Sequence, residues 1–118
     1  MVNLSEPTLD GVTLRLSSGL GLRVNNSSGP ADVRNCSFEN NGSYPVSIYA
    51  NYLESMGSGN SYSGNSPDRI YVYTDIITQS QTWNNQGVPL EITGNLDIAH
   101  TSQPNLTISS GTQLLFAD

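Results

Sequence analysis

The stretch Asn35-Cys36-Ser37-Phe38-Glu39-Asn40-Asn41-Gly42-Ser43-Tyr44-Pro45-Val46-Ser47-Ile48 decides the fold. It holds two short alternating runs, Ser37-Phe38-Glu39 and Val46-Ser47-Ile48, on either side of the polar corner Asn40-Asn41-Gly42. Alternation sends every second side chain to the same face, which is the signature of a strand. Slid along itself until Leu14 meets Phe38, the chain matches itself without a gap. Leu9, Val12, Leu14, Leu22 and Val24 fall on Val33, Cys36, Phe38, Val46 and Ile48. A second equal step puts Phe38 on Tyr62, Asn41 on Asn65, Val46 on Ile70 and Ile48 on Val72. The corners repeat too, as Ser17-Ser18-Gly19, Asn40-Asn41-Gly42 and Gly64-Asn65-Ser66.

Past residue 72 the spacing shortens while the L-x-I pattern persists. Ile70-Tyr71-Val72 is followed by Leu90-Glu91-Ile92 and then, closer still, by Leu106-Thr107-Ile108. A second series runs from Leu96-Asp97-Ile98 to Leu114-Leu115-Phe116. One register per repeat is what stacking demands, so the pattern predicts a right-handed parallel β-helix, a β-solenoid of about five coils. At ~4.8 Å per rung that is roughly 25 Å of solenoid. The prediction is one domain over 1–118, with 24-residue coils over 9–80 and shorter coils over 81–118. The predicted inward ladders are Leu22, Val46, Ile70, Leu90 and Leu106, then Val24, Ile48, Val72, Ile92 and Ile108, with Cys36 inward between Val12 and Asn60. Asn60 in that column marks either a bulge or an internal asparagine. An antiparallel β-sandwich is the alternative, since it also uses many short strands, though without residue-level self-similarity.

Composition bounds the function. Of 118 residues, 17 are Ser, 13 Asn, 11 Gly and 9 Thr, and charged residues make up 12%. Four arginines and no lysine against ten acids leave a net charge of −6, which argues against a nucleic-acid partner. No apolar run is long enough to span a membrane as a helix. One cysteine excludes an internal disulfide. The chain lacks a basic, then apolar, start of the secretory kind, and its ends carry no amphipathic cap. Uncapped solenoid ends expose strand edges, so the sequence leads us to expect part of a longer solenoid, or self-association through its ends.

The segment Asn35–Gly42 leading to Val46-Ser47-Ile48 resembles the N-C-x-F-x-N-N coil of pectate-lyase-like right-handed parallel β-helix repeats. Gly59-Asn60-Ser61-Tyr62-Ser63-Gly64-Asn65 is similar. The last third, with Thr82-Trp83, Gly87-Val88-Pro89-Leu90-Glu91-Ile92 and Leu106-Thr107-Ile108, looks like recurrent patterns of bacterial and archaeal surface proteins. The resemblance implies the fold, an extracellular or cell-surface setting, and polysaccharide lyases or hydrolases, adhesins or scaffolds as functions. It also implies that Trp83 is a structural corner residue. Asp68-Arg69, before Ile70, reads as part of a turn.

Chemistry is thinly represented. Asp10, Asp32, Asp68, Asp75 and Asp97 share no repeat position, so no calcium face or acid pair is expected. Arg15, Arg23, Arg34 and Arg69 flank strand positions and are expected to pair across coils, with Glu39 and Ser47 one coil above Arg15 and Arg23. His100 stands without partners for a metal or a triad. Sequons at Asn3, Asn25, Asn26, Asn35, Asn41 and Asn105 are expected by chance in so Asn- and Ser-rich a chain. The threonine strands lack a repeated T-x-T, which argues against an ice-binding face.

Tyr44, Tyr49, Tyr52, Tyr71 and Tyr73 flank inward positions and are expected to face outwards, with Tyr49 one coil from Tyr73. Exposed rings stack on sugars, so Tyr49, Tyr71 and Tyr73 are the candidate binding residues. The same rings could equally cover a sheet face. The sequence reading is a non-catalytic structural or adhesive module, with polysaccharide or another protein as partner and no cofactor. The alternative is a fragment of a polysaccharide lyase or glycoside hydrolase.

Overall fold

The computed structural model describes residues 2–4 (their backbone), 8–24, 32–98 and 103–117. In chain order the strands are β1 Val2–Leu4, β2 Thr8–Asp10, β3 Thr13–Arg15, β4 Leu22–Val24, β5 Asp32–Arg34, β6 Ser37–Glu39 and β7 Val46–Tyr49. After a 3-10 helix at Ala50–Ser55 come β8 Ser61–Ser63, β9 Ile70–Tyr73, β10 Gln81–Trp83, β11 Leu90–Thr93, β12 Leu106–Ile108 and β13 Leu114–Ala117. Every strand pair among the described residues is parallel, which excludes the antiparallel sandwich. The chain is a parallel β-solenoid of about four turns. One sheet runs β1-β4-β7-β9-β11-β13, and smaller sheets β2-β5, β3-β6-β8 and β10-β12 form the other sides.

The repeat register is visible in the backbone. Leu22, Val46 and Ile70 stand in one column and Val24, Ile48 and Val72 in the next. Leu90 and Ile92 continue them, and all are buried. Left-handed backbone angles recur with the same period. Gly11, Asn35 and Gly59 have φ of 72°, 52° and 79°, and Leu16, Asn40 and Gly64 have 61°, 53° and 70°. Glycine and asparagine tolerate this region. Leu16 does not, and it stands 67% exposed at its corner.

Asparagine holds the corners through one repeated geometry. Asn41 accepts the Ser17 N–H at 3.1 Å and donates to the Leu14 carbonyl at 3.2 Å. Asn65 accepts the Asn41 N–H at 3.0 Å and donates to the Phe38 carbonyl at 2.9 Å. Asn60 accepts the Cys36 N–H and donates to the Val33 carbonyl, both at 3.0 Å. Each side chain therefore satisfies the N–H 24 residues earlier and the carbonyl 27 residues earlier. A bent chain leaves those backbone groups without a ladder partner, and a buried unpaired group is costly. Asn60 is thus an internal asparagine, and the bulge alternative falls.

The core fills by columns. Phe38 and Tyr62 stack with centroids 5.1 Å apart, and the Tyr62 hydroxyl donates at 2.7 Å to Gln86, one further repeat along. Burial holds the Tyr62 phenol well above its ordinary pKa. Cys36 is fully buried, with Sγ 3.2 Å from the Arg34 carbonyl. The 3-10 helix adds Leu53, and its Tyr52 packs partly against the core instead of facing out.

The last coils depart from the sequence expectation. Leu106 and Ile108 stand over Gln81 and Trp83 and do not continue the Leu90 and Ile92 ladders. Leu114 and Phe116 take those places. Leu96–Ile98 is not stacked with Leu114–Phe116; Asp97 bridges to Ile76. An alternating L-x-I run looks alike on every side of a solenoid, so the tripeptide alone does not say which sheet it joins. Trp83 is a strand residue wholly inside the core, with its indole N–H donating to Gln81 at 2.9 Å, and not a corner. Val2-Asn3-Leu4 adds one more strand to the large sheet, beside Leu22–Val24.

Candidate functional site

The outward positions of the six-stranded sheet form the most chemically distinctive surface. Alternation puts Arg23, Ser47, Tyr71, Glu91 and Leu115 in one outward row. Tyr49, Tyr73, Thr93 and Ala117 form the next. Tyr49 and Tyr73 stack at 5.0 Å, one coil apart. Tyr71 meets Tyr73 edge-on at 4.8 Å along the same strand. Tyr44, from the corner before β7, meets Tyr71 edge-on at 5.1 Å. The candidate residues Tyr49, Tyr71 and Tyr73 are therefore joined by Tyr44 in one continuous aromatic patch. All four tyrosines are half-buried: each ring lies against its neighbours and keeps part of its surface open to solvent.

A polar border closes one side. The Tyr44 hydroxyl donates to Glu91 Oε2, and Arg69 donates to Glu91 Oε1 at 3.1 Å. The hydrogen bond to the Glu91 carboxylate, helped by burial, pushes the Tyr44 phenol up to about 12. Ser47 is buried next to Tyr71 in the sheet, and its hydroxyl has no hydrogen-bond partner among the described residues. The sequence directs Arg69 to a cross-coil partner without naming one, and it gives Glu91 no role. Aligning Ile70-Tyr71-Val72 with Leu90-Glu91-Ile92 sets Arg69 and Glu91 on neighbouring coils, diagonal to one another.

The other candidates do not converge. Asp10 and Asp32 both clasp Arg34, at 3.2 and 2.6 Å. The Asn35 amide and the Arg34 guanidinium hold the Asp10 carboxyl below its usual range. Asp68 accepts the backbone N–H groups of Gly64 and Asn65 at 3.1 and 2.9 Å, which fixes a corner. Asp75 accepts the Asn51 N–H at 2.9 Å, and burial raises its pKa. Arg15 stands beside Glu39 in register yet forms no ion pair with it, and none forms at Arg23 among the described residues. Among the described residues no three His, Cys, Asp or Glu side chains gather as a metal site. Asn41, one of the sequon asparagines, is buried with its amide engaged in the corner ladder. His100, Asn25 and Asn26 lie outside the described residues.

No family model, curated protein or solved structure matches this chain. The likeness of the Asn35–Gly42 coil to pectate-lyase-like repeats therefore reaches as far as the parallel solenoid itself.

Proposed function

We propose that the protein is a non-catalytic solenoid module of a secreted or cell-surface protein that binds carbohydrate on the tyrosine face. The observation that carries this reading is the joined patch Tyr44, Tyr49, Tyr71 and Tyr73, bordered by the Glu91–Arg69 pair. Sugar rings present C–H faces that lie on aromatic rings and hydroxyls that bridge carboxylate and guanidinium groups. The tyrosines come from successive coils, so the patch extends along the solenoid axis, which suits a chain of sugars better than a single one. The carboxylates lend support by their present duties: Asp10 and Asp32 hold Arg34, Asp68 holds a corner, and Glu91 holds Arg69 and Tyr44. These are positioning roles rather than the paired acid and base of a lyase or hydrolase.

The test is a screen of polysaccharides by glycan array, followed by calorimetry on any hit with Tyr49→Ala, Tyr73→Ala and the double variant. Each lost ring is expected to weaken binding about tenfold, or about 1.4 kcal/mol, while the circular dichroism stays unchanged. A screen without hits, or a hit that the double variant binds equally well, defeats the reading.

A further inference from the structure

Tyr49 and Tyr73 stack with centroids 5.0 Å apart and planes 27° from parallel. Rings so close and so nearly parallel cannot lie side by side in one plane, so each turns a face to the other. They sit opposite one another on β7 and β9, one rung of the sheet apart. Rungs are ~4.8 Å apart, so the two rings form a pile that runs along the solenoid axis. The outward row goes on from Tyr73 to Thr93 and then Ala117. The pile therefore stops at Thr93, and the far face of Tyr73 looks over a small side chain. The Thr93 hydroxyl is turned to the Val72 carbonyl at 3.2 Å. Among the described residues, the ring contacts of Tyr73 are with Tyr49 and Tyr71. Tyr71 lies along the same strand, beside the Tyr73 ring and not beyond it. The result is a step one ring high. It lies inside the sheet, between β9 and β11, with β13 stacked past it.

The charges beside the step cancel. Glu91 stands two residues from Thr93 on the same strand and the same side. Its nearly buried carboxylate accepts from Tyr44 and Arg69. Arg23, in the same outward row as Glu91, is three rungs away. The whole chain carries a net charge of −6. We propose that the step on Thr93 is a subsite for the terminal ring of an uncharged polysaccharide, seated against the open face of Tyr73 as the third member of the pile. This rests on the carbohydrate reading and narrows it to one ring and one class of sugar. A pyranose lays its C–H groups on Tyr73. Its hydroxyls meet the Glu91 edge, where a carboxylate accepts from a neutral hydroxyl and repels a uronate. The rest of the sugar chain leaves over Tyr73 and Tyr49. Thr93 serves by being small: a larger side chain takes the place of the sugar.

Thr93→Tyr tests this, because it extends the pile and fills the step while all four tyrosines stay in place. Calorimetry reads the binding of cellohexaose, mannohexaose and xylohexaose, and of cellohexaose oxidised at C6 to the uronate. The wild type is expected to bind at least one neutral chain, with little effect of added salt, and not the uronate. Thr93→Tyr is expected to weaken that binding about tenfold or more, with an unchanged circular dichroism spectrum. Thr82→Tyr, the same change at an exposed position of the β10-β12 sheet, is expected to bind as the wild type does. Equal binding by Thr93→Tyr, or a wild type that prefers the uronate, overturns the subsite and leaves the carbohydrate reading standing. A wild type that binds none of the four overturns both.

Discussion

The first two-thirds of the solenoid and its last third use different means to the same end. From β2 to β9 every strand pair keeps one offset, with Val33 on Leu9, Phe38 on Leu14, Val46 on Leu22, Tyr62 on Phe38 and Ile70 on Val46. There Asn41, Asn60 and Asn65 satisfy the backbone at the corners through one copied geometry. From β9 onwards the offset varies, with Leu90 on Ile70, Leu106 on Gln81 and Leu114 on Leu90. There the interior is held by bulk and by glutamine: Trp83 fills the core, Gln81 accepts its indole N–H, and Gln86 donates to the Met56 and Gly57 carbonyls. A constant coil length lets one corner solution be copied, whereas a variable one needs larger side chains that reach different partners.

This contrast can be broken in four ways, largest effect first. Trp83→Ala should cost about 3–5 kcal/mol in chemical denaturation, because it empties the centre of the irregular part. Asn65→Ala should cost about 2–3 kcal/mol, since it orphans the Asn41 N–H and the Phe38 carbonyl at a buried corner. If Asn65→Ala proves costlier than Trp83→Ala, the split between corner bonding and bulk is misplaced. Leu16→Asn should gain about 0.5–1 kcal/mol, by giving the left-handed corner the residue that Asn40 supplies one coil on. A thermal melt showing loss at that position would mean that the exposed Leu16 side chain packs usefully.

The smallest effect is a pH dependence. The Tyr44 phenol is raised in the folded chain, so the stability it contributes is intact below its unfolded value near 10. That contribution is lost as pH climbs through about 12. The wild type should therefore lose more stability than Tyr44→Phe between those limits. Parallel titrations would show that the bond to Glu91 is unimportant.

Much of this was legible wherever the period is constant. The columns through Leu22, Val46, Ile70 and Leu90 follow from sliding the sequence against itself, as does the Tyr49–Tyr73 stack. The assignment of Leu106 and Ile108 was not legible, because alternation reports which side of a strand faces inwards and not which sheet the strand joins. The corner place that the resemblance implies for Trp83 does not hold, because the strand Gln81–Trp83 runs through it and ends on it. At the site, the tyrosines announced themselves by alternation. The Glu91–Arg69 border did not, because it runs diagonally between coils where Leu90 follows Ile70 more closely than Ile70 follows Val46. Ser47 looks like an ordinary outward polar residue, and its burial depends on what lies over it in three dimensions.

The tyrosine face exists only if the coils stack in the repeat register, and a designed disulfide reads that register directly. The Ser37 and Ser61 hydroxyls lie 3.2 Å apart on neighbouring parallel strands. Ser37→Cys/Ser61→Cys should therefore oxidise readily within one chain and raise the melting temperature. Ser37→Cys/Ser63→Cys, out of register on the same strands, should stay reduced under the same conditions. Closure of the second pair in preference to the first would contradict the register, and with it the coil-to-coil stacking that assembles the tyrosine face.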